Sequence, residues 1–255
     1  MTTASDMTDR YALVTGGSSG IGEAIAEQLA GHGAHLVLVA RDEERLEKVA
    51  AGLRERHGVE VLTVALGLDE RGAPGRLMEI VAEAGIEVEL LVNNAGTSSR
   101  AMVADSDPST LRRLVDLNVG AVTELTALVV APMVQRGHGS VITIASTGAF
   151  TPAPHVAAYA ASKAYVLSFT QALWAETRAS GVRVVAVSPG PTETPMNSRP
   201  SRGKRQPAQV ARTALAALDR TGPSVVDGSR NRMTAFVIRR LPPRWMAVLA
   251  LRAMR

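Results

Sequence analysis

The stretch Y-A-L-V-T-G-G-S-S-G-I-G-E-A-I-A-E-Q-L-A, Tyr11 to Ala30, decides the fold. Tyr11–Thr15 is a short apolar run of strand type, Gly16–Gly22 is a glycine-rich turn, and the residues after it carry apolar side chains at helical spacing. Glycines let the backbone come close to a phosphate, and a helix N-terminus offers unpaired N–H groups and positive dipole. The spacing Gly16, Gly20, Gly22 differs from the G-x-G-x-x-G dinucleotide fingerprint. A glycine-rich strand–helix turn without any ligand is therefore the alternative reading.

Working outward, His35–Ala40 reads as a second strand and Arg41–Arg54 as an amphipathic helix with interleaved charges. In a strand–helix–strand nucleotide unit, the residue just past the second strand faces the adenosine ribose. An acid there would accept from the ribose 2′-OH and favour NAD. Arg41 suits a 2′-phosphate, which favours NADP(H) and leaves NAD(H) possible. Asp42 is placed to cap the helix instead. Val59–Leu66 is a third strand, and residues 71–85 are helical, with Gly72, Pro74 and Gly75 unsettling the start. Val88–Gly96 is a fourth strand ending in N-N-A-G, which is ligand-facing amide chemistry or simply turn chemistry.

Leu111–Val130 is a long helix with Asn118 on its apolar face. A buried amide costs a few kcal/mol unless paired, so Asn118 either braces backbone or serves a site. Ser140–Ser146 is a buried strand, followed by a helix carrying Tyr159 and Lys163. Val182–Pro195 is a sixth strand running into a proline-rich loop. Gln209–Leu218 is a short helix and Ser224–Asp227 a last strand. Strands and helices alternate without repeats, so the expected architecture is a single α/β domain over residues 1–255. It is a Rossmann-type, doubly wound parallel sheet of about seven strands with helices on both faces. Residues 1–9 read as flexible, 196–206 as a mobile basic substrate loop, and 230–255 as a basic apolar tail.

Composition narrows the function. Apolar residues are 46% of the 255, enough for a sizeable core, while aromatics are only 3%, so Ala, Val, Leu and Ile must fill it. Zero Cys excludes disulfides, thiolate metal sites and cysteine nucleophiles, and no metal centre is expected. No signal-type N-terminus and no run of 18 apolar residues is seen, so a cytoplasmic protein is expected. Net charge is +4, but the seven Arg from Arg230 onward have no accompanying acid, which leaves −3 on the rest. A basic tail on an acidic body argues against a nucleic-acid binder.

The chemistry is concentrated in Ser146–Lys163. Tyr159 and Lys163 lie four apart, on one helix face. A free tyrosine titrates near ~10, and a nearby ammonium lowers that value. Such a phenol can give a proton to a carbonyl oxygen or take one from an alcohol. A serine hydroxyl at the strand end can hold the same oxygen. Y-x-x-x-K alone is common and fits an ordinary solvated helix face equally well.

Taken in order, T-G-G-S-S-G-I-G, N-N-A-G, Asn118, Ser146, Y-A-A-S-K and P-G-P-T-E-T resemble the motifs of the short-chain dehydrogenase/reductase family. The resemblance covers about Arg10 to Pro195 and includes the Ser-to-Tyr separation, 159 − 146 = 13. The tail and A-R-D-E-E-R-L resemble a bacterial branch of broad or unknown specificity. The resemblance implies an oxidoreductase with a small carbonyl or alcohol substrate, assembled as a homodimer or homotetramer. It implies that Tyr159 is the general acid, that Lys163 lowers its pKa and binds the nicotinamide ribose, and that Ser146 positions the substrate oxygen. Asn118 would hold a water in a relay to Lys163. Gly16, Ser18, Ser19, Gly20, Ile21 and Gly22 would form the pyrophosphate turn, with Asn94, Ala95 and Gly96 along the adenosine and ribose. Pro189, Gly190, Thr192 and Thr194 would close over the nicotinamide, though Thr194 reads equally as a loop cap.

One departure stands out. The family often has an acid after the third strand that bonds the adenine amino group, and here Leu66 occupies that place, with Asp69 too far along to substitute simply. Candidate pocket residues are Thr147, Gly148, Phe150, His155, Pro191 and Met196, mostly apolar, which hints at an apolar substrate. His155 is a pocket donor or a loop surface residue. The basic run Arg199–Arg205 greets an anionic carrier such as coenzyme A, or is only a solvated lid. A non-catalytic nucleotide-binding regulator of the same fold is the competing reading. The tail suits packing against the body or a second subunit better than a lipid surface, with the lipid surface left open.

Overall fold

In β1 (Tyr11–Thr15), Ala12 and Val14 belong to one apolar cluster and Leu13 to another, so successive side chains serve opposite layers. A strand buried on both faces needs no polar alternation, which is why these runs read as continuously apolar. The computed structural model describes residues 7–198 and 203–253. Within them β1 joins β2 (His35–Ala40), β3 (Val61–Ala65), β4 (Val88–Asn93), β5 (Gly139–Ile144), β6 (Val182–Ser188) and β7 (Ser224–Val226). All pair in parallel, in the order β3-β2-β1-β4-β5-β6-β7. The order reverses between β1 and β4, and ligands of such sheets bind outside the strand C-termini at that switch point.

One layer carries α1 (Gly20–Gly31), α2 (Glu43–His57) and α7 (Pro207–Ala217), with Ile25, Leu46 and Leu215 meeting Val14 and Leu38. The other carries α3 (Ala73–Glu83) and the run α4 (Pro108–Val115), a π-helical turn (Asp116–Ala121) and α5 (Val122–Arg136). Leu77, Leu117, Leu125 and Val129 pack there against Leu13 and Leu91. This helical run is long and apolar enough to cross a membrane by composition, but half of its apolar window is buried in the protein. Its hydropathy is that of a core helix. α6 (Ala157–Thr177) lies on β6.

Several boundaries differ from the sequence expectation for local reasons. α2 begins at Glu43 because the Asp42 carboxylate accepts from Arg45 N at 3.0 Å, a helix cap. The long helix runs from Pro108, capped by Asp107, to Arg136, where Gly137 turns left-handed at φ +79°. Of the N-terminal stretch 1–9 expected to be flexible, residues 1–6 lie outside the described residues, while Met7 is buried in the core. The tail forms α8 (Ser229–Ile238) and α9 (Pro243–Ala253), separated at Pro242–Pro243. At the opposite end of the sheet from the strand C-termini, the Glu87, Glu89 and His138 ligand atoms converge. Arg10 and Arg136 pair with Glu89 there, and His138 Nδ1 lies 2.8 Å from the same carboxylate, so its charge is met by the two arginines.

Candidate active site

Thr15 ends β1 and organises the cleft. Its hydroxyl accepts from Asn94 N and Ala95 N, each at 3.0 Å, and donates to Val92 O. The Asn94 side chain in turn donates to Thr15 O at 2.9 Å and Gly16 O at 3.3 Å. The N-N-A-G segment therefore stitches the end of β4 to the glycine turn. Gly16 sits at φ +68°, where a side chain would be strained. A Cβ on Gly22 would lie 2.3 Å from Gly16 O, so only glycine lets α1 start this close beneath the turn.

At the end of β5, Ser146 caps a short 3₁₀ turn (Thr147–Phe150), its hydroxyl oxygen accepting from Gly148 N at 3.0 Å. Ser146 also acts on the Tyr159 phenol, whose pKa it lowers. Lys163, one turn further along α6, is buried and donates to Ile144 O at 2.8 Å. Asn118, fully buried in the π turn, accepts from Thr97 N at 2.9 Å and donates to Thr97 O and Ser162 Oγ, each at 3.0 Å. Ser162 Oγ donates to Tyr159 O at 2.7 Å. A chain of hydrogen bonds thus ties the loop after β4, the π turn and α6 together.

The electrostatics differ from the sequence expectation. Burial is the leading influence on Tyr159 and pushes its pKa up, and only the Ser146 hydrogen bond opposes it. Lys163 is desolvated in its turn, and burial lowers its own pKa from 10.5 to about 8.

The short-chain dehydrogenase family model matches residues 10–205, most of the chain. The chain belongs to the short-chain dehydrogenase family. It is 34% identical over 216 residues to an oxidoreductase of Staphylococcus saprophyticus, covering 84% of this chain and 92% of the relative. It is 31% identical over 250 residues to the very-long-chain 3-oxoacyl-CoA reductase of Mus musculus, covering 92% and 76% respectively. A short-chain dehydrogenase from Sphingobium yanoikuyae, solved in complex with NADPH, superposes with TM-score 0.82 at 32% identity, covering 89% of this chain and 92% of that one. These likenesses make the protein an oxidoreductase.

The cleft of this short-chain dehydrogenase has a volume of about 650 Å³. Gly16, Ser19, Gly20 and Ile21 line one end, with Asn94, Ala95 and Gly96 beside them. Ser146, Tyr159 and Lys163 line the same cleft, with Pro189, Gly190, Thr192 and Thr194 on its wall. Thr194 does more than cap its loop: its Cγ2 lies 3.0 Å from where a Gly20 Cβ would stand, so the loop meets the glycine turn. Ser18 belongs instead to a separate cavity with Asp42 and Arg45. Arg41 is exposed beyond β2, with its Cδ 3.7 Å from where a Gly67 Cβ would lie.

Of the expected pocket residues, Thr147, Pro191 and Met196 line the cleft and Gly148, Phe150 and His155 do not. Gly148 contributes only the backbone N–H that meets Ser146. Phe150 packs into an apolar cluster with Val122, Ala145 and Val166, and Arg239 covers its ring. His155 turns the chain into α6 at φ +63°. Sequence reasoning missed Val156 and Arg100, which also line the cleft.

It also missed the anchor of the loop. Arg199–Arg202 lie outside the described residues, but Lys204 and Arg205 are held rather than mobile. Lys204 pairs with Glu193 and donates to Asn197 O. Arg205 N donates to Pro191 O, Glu193 N donates to Arg205 O, and the Arg205 guanidinium lies 2.5 Å from the buried Asp227 carboxylate. Asp227 also accepts from Thr213 Oγ1 at 2.6 Å. No signal in the sequence links residues so far apart.

Proposed function

We propose that this oxidoreductase uses NADP(H) to interconvert a ketone or aldehyde and its alcohol. The observation that carries the reading is the meeting of Ser146, Tyr159 and Lys163 with the glycine turn along one cleft. The turn Gly16–Gly22, Asn94–Gly96, Lys163 and Pro189–Thr194 would hold the dinucleotide, and when bound it supplies the hydride. Ser146 holds the substrate oxygen by a hydrogen bond. Tyr159 Oη donates a proton to that oxygen as the carbonyl is reduced and takes it back in the reverse direction. Burial raises the phenol pKa, so at neutral pH it stands protonated, the form that carbonyl reduction needs.

Two features support NADP(H) over NAD(H). Asp42, the acid nearest the ribose position, is committed to capping α2. Arg41 is exposed beside that position and makes no ion pair among the described residues. The substrate reading is an apolar carbonyl compound, with Met196, Pro191 and Val156 on the wall. Arg100, on the same lining, favours a substrate that also carries negative charge, as a 3-oxoacyl thioester of coenzyme A does. NADPH consumption against neutral ketones, aldehydes and 3-oxoacyl-CoA of increasing chain length tests this. Turnover is expected with carbonyl compounds, and Arg100→Ala is expected to raise KM for the CoA ester but not for a neutral ketone. No turnover with any carbonyl would leave a nucleotide-binding regulator.

A further inference from the structure

The family model ends at residue 205, and the two helices at the end of the chain lie beyond it. α8 and α9 expose large apolar side chains that the protein itself does not cover. Met233 is 65% exposed, Phe236 55% and Trp245 54%, with Val237 and Val248 beside them. Met233, Phe236 and Val237 stand at i, i+3 and i+4, on one face of α8. Trp245 and Val248 are three apart on α9. The expectation that the tail packs on the body is not met by these side chains.

The charge on these two helices has one sign. Arg230, Arg232, Arg239, Arg240 and Arg244 lie on or between the two helices, and no acid follows Asp227 in the sequence. Two of the arginines lie along aromatic rings: Arg240 is 3.5 Å from the Phe236 ring centroid and Arg244 is 5.3 Å from that of Trp245. An aromatic ring with a guanidinium beside it is apolar at one end and charged at the other, which suits a membrane–water boundary.

We propose that the α8–α9 segment is a docking surface for an anionic lipid bilayer. Apolar side chains would enter the acyl boundary while the arginines meet lipid phosphates. Helices of 10 and 11 residues are too short to span a bilayer and lie on it instead. Symmetric pairing of this face with a second copy would set arginines against arginines with no carboxylate between them, so charge favours the lipid. The surface also adjoins the catalytic cleft. Arg239 covers Phe150 in the turn after Ser146, and the Asn231 amide lies 2.4 Å from where a Gly190 Cβ would stand. A docked molecule would hold its cleft near the bilayer surface.

The test is co-sedimentation of the full-length protein with vesicles of phosphatidylcholine alone or with about one-third phosphatidylglycerol, alongside sedimentation velocity without lipid. Binding to anionic vesicles is expected to exceed binding to neutral ones by more than about tenfold and to weaken in high salt. Arg240→Glu/Arg244→Glu is expected to lower it roughly fivefold or more per arginine. Phe236→Ser/Trp245→Ser is expected to remove most of it, with the far-UV circular dichroism spectrum unchanged. Equal binding to both vesicles, or none to either, would overturn the proposal. So would substitutions that leave vesicle binding unchanged but reduce the sedimenting mass, since the face would then cover a second copy.

Discussion

Asn118 and Thr97 close a two-bond ring: the amide oxygen accepts from Thr97 N at 2.9 Å and the amide nitrogen donates to Thr97 O at 3.0 Å. The amide copies the backbone pairing of a strand and fastens the loop after β4 to the π turn. Its third bond, to Ser162, reaches the helix of Tyr159 and Lys163.

Replacing Asn118 with Leu leaves both backbone groups of Thr97 without these partners. The expected cost is about 3 kcal/mol of unfolding free energy, since unsatisfied buried groups cost ~1–3 kcal/mol each. Urea titration of the variant measures it. A loss under about 1 kcal/mol would mean the ring contributes little.

Lys163 makes stability depend on pH. Its pKa falls from 10.5 unfolded to about 8 folded, so the unfolded chain binds more protons between those values. Stability is then lost as pH falls from about 10.5 to about 8, by about 3 kcal/mol in total. Above pH ~10 the Tyr11 phenol, raised to about 12 by the Glu60 carboxylate, works in the opposite sense. Between pH 8 and about 10, wild type is expected to gain on Lys163→Met in paired denaturation curves. Parallel curves for the two proteins would contradict the buried amine.

Much of this was legible in the residues. The five central strands are mostly apolar runs, because both faces of a parallel sheet are covered, whereas their order across the sheet, which reverses between β1 and β4, is not the order of the sequence. Ser146, Tyr159, Lys163 and the glycine turn stand out only together, as a set of motifs in one order, since neither Y-x-x-x-K nor the glycine spacing is decisive alone. What stayed hidden depends on distance in the chain. Thr15 reads as an ordinary strand end until Asn94 and Ala95 reach it. Arg205 reads as part of a solvated basic run until Asp227 arrives from β7. Phe150 and His155 sit near Ser146 in sequence, but local packing and a left-handed turn take them off the cleft.

Arg41→Asp is expected to shift the kcat/KM ratio from NADPH towards NADH by about tenfold to a hundredfold. That range corresponds to one charged hydrogen bond. Steady-state kinetics with each cofactor reads it, and an unchanged ratio would remove Arg41 from phosphate recognition.

Asp227→Ala leaves the Arg205 guanidinium without its carboxylate at the base of the loop carrying Thr192 and Thr194. Breaking one side of a buried pair costs about 3–5 kcal/mol. The loop carrying Thr192 and Thr194 is expected to loosen, raising the NADPH dissociation constant while leaving the proton-transfer residues in place. Fluorescence titration with NADPH checks this against thermal melting. A stability loss with unchanged NADPH affinity would make the pair purely structural.

The central claim is that the Tyr159 phenol hands its proton to the substrate oxygen. Single-turnover oxidation of NADPH by Tyr159→Phe, with NADPH affinity measured on the same sample, tests it most directly. The expected result is intact NADPH binding with the rate lowered by roughly 10²–10⁴-fold, the usual contribution of a positioned acid. A variant that binds NADPH and reduces the carbonyl at the wild-type rate would contradict the account.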